Sequence, residues 1–302
     1  MRFKKYVSAA LGMSACLCLA LCGMSALADD LTQHVDANEN RAPKGEQVIF
    51  DSGHADMGPV IGNGLELLIR DDSKEKPVWR EVEDIVFQVG EKAAISLPDN
   101  NNYSFTGAKS GERVWAIPQT EVGGVPWLGW NTQSPSLMNA VKEGVSFEFI
   151  GHQGPGTFTV FEQPGGVAKP EVLWTSEKPA SQSAWVELNT HTHANWVFTK
   201  PGVHLVGMRV RAKMADGTEK QVEGHLRFFV GTGDPGSAFA AEWKQGAPAQ
   251  SAPAKATTAP ESQSHASNLI GYITLALGAL VLIAAIVIAV TLKRRRDTLE
   301  SA

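Results

Sequence analysis

Between residues 46 and 232 short apolar or β-branched runs alternate with breaks rich in Gly and Pro. That is the pattern of strands joined by tight turns. It predicts strands at Gln47–Ser52, Leu65–Asp71, Ile85–Val89, Ala94–Ser96, Arg113–Ile117, Val145–Ile150, Gly156–Phe161, Glu171–Trp174, Ser183–Leu188, Asn195–Thr199, Gly202–Met214 and Glu219–Val230. The last two flank Asp216-Gly217, a strong hairpin signal. Only Ser134–Glu143 reads as a helix, with Ser134 as N-cap and Pro135 in the first turn. Many strands with almost no helix predict an all-β fold: an immunoglobulin-like β-sandwich, either one elaborated domain or two subdomains meeting near residues 162–182.

The flanks follow other rules. Residues 1–28 join Arg2, Lys4 and Lys5 to an apolar run and an Ala26-Leu27-Ala28 cleavage site, the plan of a secretory signal peptide. Residues 29–45 form a polar tail, and residues 233–268 a stalk dominated by Ala, Pro, Ser and Thr, which lacks the apolar surface needed to order itself. Residues 269–292 carry no charge and are long enough to cross a bilayer as one transmembrane helix. The basic tail 293–302 opens with Lys293-Arg294-Arg295-Arg296, which the positive-inside rule assigns to the cytoplasm. The expected location is the cell membrane, single-pass, with the folded part outside.

Composition narrows the chemistry. A chain of 302 residues, 43% hydrophobic and 20% charged, is not wholly disordered. A formal net charge of −5 argues against nucleic acid as a partner. Cys16, Cys18 and Cys22 all fall in the signal, so the mature domain has neither disulfide nor thiolate ligand. Any metal there must be held by His, Asp or Glu.

The most informative string is His191-Thr192-His193-Ala194-Asn195-Trp196. On a strand, His191 and His193 share a face and reach toward one ion. His54 and Asp56, in Gly53-His54-Ala55-Asp56, and His152, in Gly151-His152-Gln153-Gly154, are the candidates to complete the shell. The alternative reading is that these imidazoles cap turns or bond to backbone. Trp127 and Trp130 form either an exposed platform for a glycan or partner, or the cover of a sandwich edge. No nucleophile elbow, phosphate loop or His-Glu-x-x-His helix is present, so the chain does not read as an enzyme.

These strings, with Ile69-Arg70-Asp71-Asp72, Pro118-Gln119-Thr120 and Trp127-Leu128-Gly129-Trp130-Asn131-Thr132, resemble the actinobacterial surface-anchored protein domain of choice-of-anchor M proteins. The resemblance spans roughly residues 46–232, and His204 departs from it, since the family more often has an aromatic there. It implies an exported, anchored module associated with metal ABC transporters. The expected function is capture of a divalent transition metal, zinc or manganese, at the cell surface for a transporter's substrate-binding protein. The rival expectation is an adhesive or cell-wall scaffold domain with no metal site.

Overall fold

The computed structural model describes residues 33–165 and 168–244. The expected signal peptide, transmembrane helix and basic tail, and most of the expected stalk, fall outside the described residues. Within them no helix is long and apolar enough to cross a membrane.

The all-β expectation holds, with the strands divided among three sheets. In the first the order is β1 (Asn40–Arg41), β5 (Val78–Glu81), β4 (Leu65–Asp71), β3 (Gly53–Ile61), β9 (Pro126–Asn131) and β14 (His191–His193). The second runs β13 (Gln182–Glu187), β10 (Val141–Gln153), β16 (Gly202–Met214), β17 (Glu219–Val230), β6 (Ile85–Val89) and β2 (Val48–Phe50). The third runs β12 (Glu171–Thr175), β11 (Phe158–Glu162), β15 (Asn195–Phe198), β8 (Arg113–Ile117) and β7 (Ala94–Ser96).

One apolar core draws on all three: Met57 and Ile69 from the first sheet, Phe147 and Phe228 from the second, Trp174 and Trp196 from the third. Each such side chain contributes about 1.5–3 kcal/mol when fully buried. The described part contains no cysteine and is held by this packing.

The β16–β17 hairpin forms with the expected boundaries. Gly217 takes a positive φ of 88°, and the Asp216 carboxylate accepts from Thr218 N at 2.8 Å. The expected helix is shorter, α1 at Pro135–Ala140, because the chain turns extended at Val141 and enters the 13-residue β10. Ser134 makes no side-chain cap to the helix backbone; its hydroxyl pairs with that of Ser136 at 2.9 Å.

The largest difference from the sequence reading is β3, a strand of nine residues that the expected strands leave out, with Gly58 and Pro59 inside it. The pairing explains it. The β3–β9 ladder ends at Met57↔Trp130, so Pro59 pairs only with β4 and its missing N–H leaves no gap on the β9 side. Gly58 lies under the Trp79 ring, where an added Cβ would stand 3.0 Å away.

Candidate metal centre

Strand register gathers the site. β9 is the middle strand, paired in parallel with β3 and antiparallel with β14. Asp56, Gly129 and His193 stand in one row across the three strands, with His54 opposite Trp127 and His191 opposite Asn131. Because alternate residues share a face, His54, Asp56, His191 and His193 all project on one side, above Gly129. Their neighbours Ala55, Met57, Leu128 and Trp130 go the other way, into the core.

The side chains converge. His54 Nε2 lies 3.2 Å from His191 Nε2 and 3.1 Å from His193 Nε2, and the latter two are 3.1 Å apart. The Asp56 carboxylate lies 3.4 Å from His54 Nε2, 3.2 Å from His191 Nε2 and 3.8 Å from His193 Nε2. One donor atom from each of the four lies within 4.8 Å of every other. The three Nε2–Nε2 edges are short enough for one point to lie about 2.0 Å from all three nitrogens, the bond length of tetrahedral zinc to imidazole nitrogen, with the Asp56 carboxylate beside them.

Gly129 makes the convergence possible. A Cβ there would stand 2.5 Å from the Thr192 carbonyl, 2.7 Å from Asp56 Oδ1 and 2.9 Å from His193 Cε1. Trp127 forms one wall, its ring stacked 4.0 Å from that of His193 and its Nε1 donating to the Gln119 carbonyl. Asn131 Nδ2 donates to Asp56 Oδ2 at 3.1 Å and fixes that carboxylate. Asp72 lies 3.5 Å from His54 Nδ1, the carboxylate–imidazole pairing that orients a metal-binding ring. Arg70 holds Asp72 at 2.7 Å and is itself gripped by both oxygens of Glu39.

The protonation pattern follows from these contacts. Burial disfavours charge on His54, but hydrogen bonds to Asp56 and Asp72 outweigh it and raise its pKa to about 9. Burial would likewise raise the Asp56 carboxyl, yet hydrogen bonds from His191 and His54 hold it well below the usual carboxylate range. Burial pushes His193 down to about 3, so its ring is neutral. The Nδ1 atoms of His191 and His193 are buried with no hydrogen-bond partner among the described residues. Three imidazole nitrogens cannot satisfy one another at a single point, since each pair needs one donor and one lone pair. A cation takes all three lone pairs and the carboxylate charge together, so the donor set fits a metal.

His152, the fifth expected ligand, is not in this group. It sits on β10, and its Nε2 is 2.9 Å from His204 Nδ1. His204 Nε2 in turn meets the Lys200 carbonyl at 3.0 Å. β10 belongs to the second sheet, and no register brings it beside β9. The pair packs against Phe158 and Phe198, and burial lowers His152 to about 4 and His204 to about 3. Nor do Trp127 and Trp130 present a surface platform: both are buried. Sequence reasoning passed over Gly129 and Asn131 as ligand supports. Their signal was a Gly between two Trp on a strand, a mark of close approach.

These groups set the pH dependence of the metal-free fold. The unfolded chain protonates its imidazoles near 6.5, whereas His152, His193 and His204 resist in the folded state, so their contribution is lost as pH falls from 6.5 toward 4. His54 acts oppositely: its contribution is complete below 6.5 and is lost as pH rises through about 9. Chelator-treated protein should therefore melt highest near pH 6.5–7 and lower on both sides. A midpoint flat from pH 5 to 9 in calorimetry would refute this assignment.

Comparison with known proteins finds no matching family model, no matching curated protein and no matching solved structure.

Proposed function

We propose that this chain is a membrane-tethered surface module, an immunoglobulin-like sandwich elaborated by a third sheet, that captures a divalent transition metal outside the cell for an associated ABC transporter. The observation that carries the reading is the meeting of three imidazole Nε2 atoms, 3.1–3.2 Å apart, at the Asp56 carboxylate. Three nitrogens and one carboxylate suit zinc better than manganese, which prefers oxygen. The shell is filled by protein, whereas catalytic zinc keeps a position open, which supports binding over catalysis. The exported location and the transporter rest on the apolar segments at 1–28 and 269–292 and on the family resemblance. The rival scaffold reading gives no reason for four metal-type donors to converge, three of them with side chains at most 2% exposed.

The test is calorimetric titration of the full-length protein with zinc and with manganese near pH 7.5, in two buffers of different ionisation enthalpy. Zinc should bind in a 1:1 ratio and at least about a hundredfold more tightly than manganese. Because His54 keeps its proton up to about 9, binding should release about one proton, and affinity should rise about tenfold per pH unit between 7 and 9. Zinc heats indistinguishable from buffer would overturn the proposal.

A further inference from the structure

A second feature lies on the opposite side of β14 from the metal donors and is independent of them. β12, β13 and β14 are the terminal strands of the three sheets, and their free edges meet around an open cleft of about 580 Å³. Exposed strand edges present unpaired amides and carbonyls and are templates for another strand. This cleft is closed at both ends by side chains that imitate such a strand. At one end the Gln182 amide bonds both N and O of Thr175 on β12, at 3.0 and 2.7 Å. At the other, the Thr132 hydroxyl donates to the Glu187 carbonyl on β13 at 2.6 Å. Between them the outer edges of both strands have no backbone partner among the described residues. The open stretch of β13, Ser183–Val186, is about 13 Å long at 3.3 Å per residue.

The lining names the occupant. Glu162, Glu171 and Glu187 face the cleft, no Lys or Arg lines it, and none of the three carboxylates has an ion-pair partner among the described residues. Burial, and then the charge of Glu171, raise the Glu162 carboxyl above its ordinary range, a conflict that a cation would relieve. Trp185 stands on the rim, 57% exposed, its ring reaching across Gly144 of β10, an exposed aromatic within reach of a lysine or arginine stem. We infer that the cleft docks an extended, lysine- or arginine-bearing segment of a partner protein, which adds as a strand along β12 or β13.

The probe is a fluorescein-labelled acetyl-Lys-Val-Lys-Val-Lys-Val-amide, read by anisotropy against full-length protein at low salt. Saturable binding is expected. It should weaken at least tenfold when alternate backbone nitrogens of the peptide are methylated, and at least tenfold in the double variant Glu171→Lys, Glu187→Lys. Trp185→Ala, at an exposed position that leaves the fold intact, should weaken it about threefold to tenfold. Equal binding of the methylated peptide would mean charge attraction without strand addition and would overturn the inference. So would unchanged affinity in the Trp185→Ala protein together with the charge-reversed one, or no saturable binding at 1 mM peptide, a concentration of about the weakest specific complexes.

Discussion

Zinc affinity should fall about 10²–10³-fold when His191 is replaced by alanine. Four-ligand zinc sites bind with about 10–16 kcal/mol, so each donor carries about 2.5–4 kcal/mol on average, and tenfold in affinity is about 1.4 kcal/mol. His191 has no deputy. Its side chain is 1% exposed, its Nε2 touches His54, His193 and Asp56, and Asp72 is directed instead at His54 Nδ1. Competition against a chromophoric chelator reads the change. His152→Ala is the informative contrast. It removes an imidazole of the same sequence-level promise, but one that pairs with His204 in the second sheet. Zinc affinity should stay within about twofold of the parent while the fold loses about 1–3 kcal/mol, the cost of a broken buried hydrogen bond and a small void. Equal losses of zinc affinity in the two variants would remove His191 from the ligand set.

The second large effect comes from adding one methyl group to a residue that binds nothing. Gly129→Ala puts a Cβ 2.5 Å from the Thr192 carbonyl and within 3 Å of both Asp56 Oδ1 and His193 Cε1. Two of these neighbours belong to β14, which has only three residues and β9 as its one strand partner. The strand cannot shift without carrying His191 and His193 off their positions. Overpacking of this kind costs about 1–3 kcal/mol, and the zinc site should be lost altogether. Gly123→Ala is the control, because nothing lies within 4 Å of a Cβ there. Thermal melts with zinc titrations on both proteins give the measurement. A Gly129→Ala protein that bound zinc like its parent would mean the three strands are not arranged as described.

How much of this was legible in the sequence depends on the range of the interaction. The β16–β17 hairpin is local: an Asp-Gly turn and alternating strands fix it within thirty residues, and it was readable. His191 and His193 were readable as a pair because two residues apart on a strand means one face. That His54 and Asp56 join them was readable as chemistry but not as geometry. Their meeting depends on β9 pairing with both β3 and β14, contacts that span sixty residues or more each way. The same gap explains His152. Its Gly-rich surroundings look like those of His54, and only sheet membership separates them. β3 itself was hidden because a Pro in a strand reads as a break until the end of the neighbouring ladder is known.

The unequal shielding of the four donors would also govern how quickly a bound ion came and went. Asp56, His191 and His193 have side chains 0%, 1% and 2% exposed, while that of His54 is 16% exposed. A bound ion would therefore depart by parting from His54 first, as that ring swings outward. The swing is braked by Asp72, which Arg70 and Glu39 hold in place. For a bound ion, dwell time would thus depend on a carboxylate outside its reach, and Asp72→Ala should speed dissociation and weaken binding together.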